Sequence, residues 1–310
     1  MEKEVVNKKG VKAAEGVGRR YQEWCERQGL SPYPATYTSV AGFLCQHVVN
    51  NDGSTRSLDN VRSQLKSSFR RHRHQWLEEG EYLEVKEMVR QLKFHDITES
   101  RRKRPLQQEL LLQIIEGWDL DNLPELIVAT MFFLAHNGLL RSGELTSGLT
   151  TDHILWDKDK NGFILLLLRT KTVREGPPIQ IPFWDFGGIN AVSLMRKLFE
   201  ARGLWRKHHS HLFPARKRNK QYDDMATPSS SWFRVQVKKA VAAVGLDPRL
   251  YSGHSFRAGG ATDLFVAKTP YYVIKKRGRW LSDAAMIYYR DDDDVLEAVC
   301  NAFRGGQVSK

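Results

Sequence analysis

Side chains suited to phosphate chemistry occur in a fixed order along this chain. Arg141 lies in Leu139-Leu140-Arg141-Ser142-Gly143-Glu144-Leu145, and Lys171 in Arg169-Thr170-Lys171-Thr172. Gly253-His254-Ser255-Phe256-Arg257, Gly278-Arg279-Trp280 and Tyr288-Tyr289-Arg290 follow. An arginine fork matches two phosphate oxygens at once. A tyrosine hydroxyl, with a reference pKa of about 10, is a poor nucleophile at neutral pH. It becomes useful where neighbouring cations stabilise the phenolate and a base takes its proton. Arg141 and Arg257 can supply that field and offset the charge of a phosphoryl transition state. The chemistry such a set performs is the breaking of a phosphodiester by a protein nucleophile, with no metal and no cofactor in the scheme.

Each residue taken singly is a weak signal. His254 and Arg257 are three apart in a segment where Ala261, Leu264 and Phe265 keep helical spacing, so both point the same way. A histidine and arginine so placed are commonly mere surface residues. Arg141 follows the apolar run Phe132-Phe133-Leu134-Ala135 and precedes Leu145, which predicts a half-buried side chain. Long charged side chains are seldom buried alone, and Glu144, three residues on, is placed to orient it. Lys171 follows an apolar strand and precedes Gly176-Pro177. A hairpin there carries the lysine on a loop, where it can act as a proton donor or serve only solubility.

The elements that must position these groups fall into two parts. Residues from about 10 to 95 read as helical. In Ser57 to Gln75, Leu58, Val61, Leu65 and Phe69 form one apolar stripe. Arg62, Lys66, Arg70, Arg71 and Arg73 occupy the remaining surface, which suits a phosphate-facing helix. The stretch Thr98-Glu99-Ser100-Arg101-Arg102-Lys103-Arg104-Pro105 is polar, basic and closed by proline, so it reads as a linker and a second DNA-contacting segment. The expected division is residues 1–97, a linker over 98–105, and a second domain over 106–310. In the second part helices are predicted at 107–117, 122–137, 190–203 and 229–245, with strands between 153 and 183. Asn161-Gly162 is a hairpin-type turn signal. Thr269 and Pro270 predict a helix start, Gly278 its end, and Asp283 to Arg290 a further short helix. The fold class expected is mainly α with a small antiparallel sheet.

Composition points to a polyanion. The 310 residues carry 48 Lys+Arg against 36 Asp+Glu, a formal net charge of +12, and that surplus is clustered. Lys and Arg gain affinity by displacing counterions from phosphates. Cys25, Cys45 and Cys300 are odd in number and widely spaced, which implies neither a disulfide framework nor a zinc site. The N-terminal residues lack the apolar core of a signal peptide, and no run reaches the roughly 18 apolar residues of a membrane span. An intracellular protein, not associated with a membrane, is expected.

The ordered set Arg141, Lys171, His254, Arg257, Trp280 and Tyr289 resembles the catalytic set of the tyrosine recombinases. Leu-Arg-x-x-Glu-Leu, Arg-Thr-Lys-Thr, Gly-His-Ser-x-Arg and Gly-x-Trp all occur in that family's order. Trp280 stands where many members carry histidine. The wording from Gly253 to Thr262 looks most like recombinases of eukaryotic mobile elements of the DIRS and Crypton types. The resemblance implies a helical, SAM-like core-binding domain followed by a mixed α/β catalytic domain. It implies site-specific DNA cutting and rejoining through a 3′-phosphotyrosyl intermediate, by a homotetramer on two DNA duplexes. Arg141 and Arg257 would clamp the phosphate, Lys171 would protonate the leaving oxygen, and His254 would act as general base or acid. Trp280 would donate its indole N–H to the phosphate, Glu144 would brace from behind, and Tyr289 would attack. Tyr289 has the usual spacing of nine from Trp280; Tyr288 is the alternative, and neighbours on a helix diverge by about 100°. Two other readings share these residues: a type IB topoisomerase-like relaxation, and a silent DNA-binding protein descended from a recombinase. The compartment follows the host: nuclear in a eukaryote, cytoplasmic or nucleoid-associated in a bacterium.

Three weaker signals remain. His208-His209-x-His211 has the residue type of a metal site but no carboxylate close in sequence. Arg216-Lys217-Arg218-Asn219-Lys220 reads as a flexible basic loop, with Lys217 a candidate backbone contact. Val295, Leu296, Val299, Cys300 and Phe303 give the C-terminal segment an apolar face.

Overall fold

A computed structural model describes residues 8–96, 103–168, 176–217, 219 and 221–288. The expected Tyr289, Lys171, Arg101, Arg102 and the C-terminal apolar face lie outside the described residues. The chain divides into two units, Met1–Ser100 and Arg101–Lys310. Both are dominated by helices, and the second carries a small antiparallel sheet, as the sequence predicts.

Among the described residues the first unit has four helices: α1 (Lys8–Arg27), α2 (Tyr37–Val49), α3 (Leu58–His72) and α4 (Glu79–Phe94). The stripe read from the sequence is its core edge, since Leu58, Val61, Leu65 and Phe69 are all buried. Each such side chain stabilises by about 1.5–3 kcal/mol on leaving water. Tyr21 sits between Phe43 and Phe69, edge-on to both at 5.5 and 5.6 Å. Its hydroxyl donates to Ser39 Oγ at 2.7 Å, so this buried polar atom is satisfied.

The second unit is built on α6 (Leu123–Asn137), preceded by α5 (Gln108–Ile115). Every residue of α6 from Leu126 to His136 is buried. A helix apolar all round belongs inside a core rather than on its surface. Its buried polar side chains are paired: Thr130 donates back to Leu126 O at 2.7 Å, and His136 Nε2 lies 2.9 Å from Asp263 Oδ2. Asp263 also accepts from Gln107 Nε2 at 3.0 Å and the Gln108 backbone at 2.8 Å. Burial pushes that carboxyl up, but the bonds from His136, Gln108 and Gln107 outweigh it and hold it below the usual range.

After the single turn α7 (Ser142–Leu145) come β1 (Ile154–Trp156), β2 (Gly162–Leu167) and β3 (Ile179–Trp184), antiparallel in the order β1-β2-β3. Phe163 pairs with Phe183 across β2 and β3, their rings stacked at 4.8 Å. Asn161-Gly162 does not form the turn between β1 and β2. Gly162 is already in the strand opposite Trp184, and the left-handed residue is Lys160, with φ of 56°. A β-carbon on Gly162 would overlap the Trp184 ring, so this glycine serves packing.

Then follow α8 (Ala191–Ala201), a two-residue hairpin pair β4 (Ala215–Arg216) and β5 (Tyr222–Asp223), α9 (Ser230–Ala243), α10 (His254–Val266) and α11 (Tyr271–Gly278). The basic stretch expected as a loop at 216 therefore begins in a small hairpin. Lys103 reaches the Arg249 carbonyl, while the Arg104 and Leu106 backbones donate to Leu250 O at 2.8 Å and Ser255 O at 2.9 Å. The end of the expected linker is thus hydrogen-bonded into the second unit. The segment after Trp280 is a 3-10 helix, Asp283–Tyr288, rather than the expected α-helix. No described helix is long and apolar enough to cross a membrane.

Candidate active site

The turn that follows α6 places Arg141. Gly138 caps the helix, and the next residue, Leu139, takes a left-handed backbone with φ of 48°. That conformation costs a residue with a β-carbon about 1–2 kcal/mol. Glycine would take it more cheaply at 138, but a β-carbon there would lie 2.7 Å from Phe183 and 2.8 Å from the Leu134 carbonyl. The glycine is used for close packing and its neighbour bears the backbone strain.

Arg141 then opens α7. Its backbone N–H donates to Glu144 Oε2 at 2.9 Å and its guanidinium to Oε1 at 3.0 Å. Glu144 is 4% exposed while the Arg141 side chain remains 26% exposed. The glutamate holds the arginine from beneath and leaves its outer side open to solvent.

His254 and Arg257 come from the first turn of α10. Arg257 is 1% exposed. Its NH1 donates to Leu139 O at 2.6 Å and its NH2 to Gly278 O. Its guanidinium stacks over the Trp280 ring at 4.1 Å. This arginine therefore joins the turn before Arg141 to the turn before Trp280. His254 is exposed above that packed floor. Desolvation by the floor, then the charges of Arg257 and Arg141, lower its pKa below the ordinary histidine value. A neutral imidazole at pH 7 can accept a proton.

The Trp280 turn repeats the logic of the Arg141 turn. Gly278 is the last residue of α11, and a β-carbon there would fall within the Trp280 ring. The left-handed position passes to Arg279, with φ of 58°. The sequence reading, which gave the helix end to Gly278, is corrected by one residue. The helix also starts at Tyr271 with Pro270 as its cap, one residue later than expected.

Sequence reasoning passed over two arginines, Arg277 and Arg279. Arg277 donates from Nε and NH2 to Asn137 O at 3.0 and 2.8 Å, and lies over Phe183 at 4.8 Å. Burial, with Arg279 beside it, pushes its pKa down to about 10. Arg279 donates to Gly138 O at 3.1 Å, Leu139 O at 3.0 Å and Glu144 Oε2 at 2.8 Å. The consecutive carbonyls of Asn137, Gly138 and Leu139, at the negative end of α6, are thus held by Arg277, Arg279 and Arg257. Alternation of Arg277 and Arg279 around Gly278 was the available signal.

The structure therefore brings Arg141, His254, Arg257 and Trp280 together, with Glu144 beneath them. The 3-10 helix after Trp280 is pinned by buried Ala285 and by Asp283, which accepts from Tyr271 at 3.1 Å and Lys275 at 2.8 Å. Among the other candidates, Arg62 is paired with Asp59 at 3.0 Å, and Lys66 lies over Tyr82 at 4.1 Å. Arg70, Arg71 and Arg73 are exposed beyond them. Lys103 and Arg104 are exposed in the second unit, and Lys217 lies 3.5 Å from Asp223. His208 and His209 face Asp152, a carboxylate brought from elsewhere in the chain. Among the described residues no cluster of three or more His, Cys, Asp or Glu is arranged to hold a metal ion.

No family model matches the chain. It is 23% identical over 290 residues to an integrase/recombinase XerD homolog from Selenomonas ruminantium, covering 89% of this chain and 80% of that one. The fold is similar to the XerH site-specific recombinase bound to its difH substrate, with a TM-score of 0.63, 16% identity, and 96% and 79% of the two chains covered. It is also similar to the Tn1549 transposon integrase in complex with transposon right end DNA (TM-score 0.56, 16% identity, 93% and 92% covered). A lambda integrase dimer bound to a core site gives a TM-score of 0.54 at 19% identity, with 88% and 71% covered. With its helical first unit, its small antiparallel sheet and its arginine–histidine–arginine–tryptophan cluster, the chain has the fold of the tyrosine recombinases and integrases.

Proposed function

We propose that this chain is a tyrosine-type DNA recombinase that cuts and rejoins strands of double-stranded DNA. The observation that carries the reading is the meeting of Arg141, His254, Arg257 and Trp280 at one site, from three segments far apart in sequence. A tyrosine hydroxyl attacks the scissile phosphorus and loses its proton to His254. The P–O5′ bond breaks, Lys171 protonates the departing 5′-oxygen, and a 3′-phosphotyrosyl ester remains. A 5′-hydroxyl from another strand reverses these steps. One phosphodiester is exchanged for another, so no ATP is consumed. Arg141 and Arg257 supply the positive charge on the phosphate, Trp280 an N–H donor, and Glu144 the brace beneath Arg141. Tyr289 is assigned as nucleophile by its spacing from Trp280.

DNA as partner is supported by the DNA-bound recombinases that share the fold and by the net charge of +12. Arg62, Lys66, Arg70, Arg71 and Arg73, the run Arg101 to Arg104, and Lys217 are assigned to the DNA backbone. The working form is a homotetramer on two duplexes, and the chain is of the DIRS or Crypton mobile-element type. Residues 1–97 form the core-binding domain and 106–310 the catalytic domain.

The test is covalent trapping. Duplexes tiled across the DNA that flanks the coding sequence, each nicked near the tested phosphate, release the short 5′-hydroxyl fragment and stop resealing. An SDS-resistant protein–DNA band is expected. DNA binding with no such band on any duplex would contradict the enzyme and favour a silent binding protein.

A further inference from the structure

Arg279 lies outside the catalytic set, yet its side chain is only 7% exposed. Its guanidinium meets four acceptors: Gly138 O at 3.1 Å, Arg277 O at 2.9 Å, Leu139 O at 3.0 Å and Glu144 Oε2 at 2.8 Å. Arg279 takes a left-handed backbone, and its side chain reaches back to the Arg141 turn.

Glu144 is the shared partner. The Arg141 guanidinium holds one of its oxygens, the Arg279 guanidinium and the Arg141 backbone N–H hold the other, and the carboxylate is 4% exposed. Arg141 and Glu144 alone would cancel as formal charges, and a neutralised guanidinium attracts a phosphate weakly. A second guanidinium on the same carboxylate leaves one positive charge unbalanced. Arg279 is enclosed, with both terminal nitrogens bonded to the protein, whereas Arg141 keeps 26% of its side chain in solvent. The surplus charge is therefore presented by Arg141.

We propose that Arg279 is a positioning residue for strand cleavage: it holds Glu144, so that Arg141 is fixed in direction and keeps its charge for the scissile phosphate. It also ties the Arg141 turn to the turn that carries Trp280. The proposal rests on the recombinase reading above.

The test uses the full chain with Arg279→Met, Arg279→Lys, Glu144→Gln and Arg141→Ala, on the nicked duplex the unaltered chain cleaves. The scissile group is either the natural phosphate or a methylphosphonate, which lacks the negative charge Arg141 meets. Arg279→Met is expected to slow adduct formation about 100-fold, the loss typical of a misplaced catalytic group, with DNA affinity unchanged. On the methylphosphonate that loss shrinks, as it does for Arg141→Ala. Arg279→Lys, which keeps a charge beside Glu144 but cannot span four acceptors, recovers part of the rate. In a Glu144→Gln chain, where no carboxylate needs balancing, replacing Arg279 costs less than in the unaltered chain. Full activity of Arg279→Met on the natural phosphate would overturn the proposal. So would an equal loss on both substrates, with no coupling to Glu144, which is what a merely structural role gives. If Arg279→Met fails to fold, Arg279→Lys is judged against the same two outcomes. No adduct from the unaltered chain on any duplex would overturn the recombinase reading and this proposal with it.

Discussion

His254 is the residue whose chemistry is most open to titration. Its pKa is held below the ordinary histidine value by desolvation, then by Arg257 and Arg141. A base with a lowered pKa is neutral, and so competent, at every pH above that lowered value. The rate of adduct formation should therefore stay level from pH 8 down past about 6.5, the unperturbed value, and fall only on further acidification. His254→Gln should lose the acid limb along with most of the rate. A limb centred at or above the unperturbed value would contradict the charge arrangement described. At this scale the sequence was legible for Arg141, His254, Arg257 and Trp280, because each sits in a short motif with a chemical reason for its residue type. Arg279 was not legible. Nothing in Gly-Arg-Trp says that a surface-looking arginine folds inward onto a glutamate 135 positions earlier. Asp152 beside His208 and His209 was missed for the same reason: a long-range ion pair has no local pattern.

Elements were read well where periodicity carried them and poorly where two elements meet. The stripe on α3, the buried α6, and the helices α8 and α9 all stand within a few residues of their expected positions. The turns expected at Gly162 and Gly278 differ by one or two residues because glycine has two uses. At 138, 162 and 278 glycine makes room for Phe183, for Trp184 and for Trp280. The left-handed positions fall instead on Leu139, Lys160 and Arg279. A rule that gives positive φ to glycine reads such turns one or two residues out of place. Gly278→Ala tests the packing role directly. Alanine improves a helix position by about 1 kcal/mol over glycine, but here its methyl would overlap the Trp280 ring. A net destabilisation of about 1–3 kcal/mol is expected from overpacking, together with a large loss of adduct formation as Trp280 leaves Arg257. A denaturation midpoint that rises, with full cleavage, would contradict the packing role.

For the whole molecule, charge is the property that the sequence states plainly and the structure refines. Of the basic residues on α3, Arg62 is partly committed to Asp59, which also pairs with Lys93 at 2.6 Å. Arg70, Arg71 and Arg73 remain exposed, and these should carry most of the phosphate contact from this helix. Replacing all three by alanine should weaken binding to any duplex alike. It should also lower the slope of log affinity against log salt by about 0.9 for each phosphate no longer neutralised. Replacing Arg62 should change that slope least. An unchanged slope in the triple variant would place the DNA on another face of the first unit. The sequence pattern shifts near residue 100, and the chain divides into Met1–Ser100 and Arg101–Lys310. How far the basic stretch belongs to the second unit was not legible, because the bonds from Arg104 and Leu106 to Leu250 and Ser255 join segments some 150 residues apart.

A tyrosine of this chain is expected to become esterified to DNA at the site built by Arg141, His254, Arg257 and Trp280. Trapped adduct, digested with nuclease and then trypsin, places the nucleotide on the peptide Trp280–Arg290, which contains both Tyr288 and Tyr289. Fragmentation of that peptide in the mass spectrometer should locate a 3′-linked nucleotide on Tyr289, and Tyr289→Phe should bind DNA yet form no adduct. A nucleotide on Tyr288 would move the nucleophile by one residue and leave the chemistry intact. A nucleotide on any other peptide, or adduct persisting when both tyrosines are replaced by phenylalanine, would contradict the account.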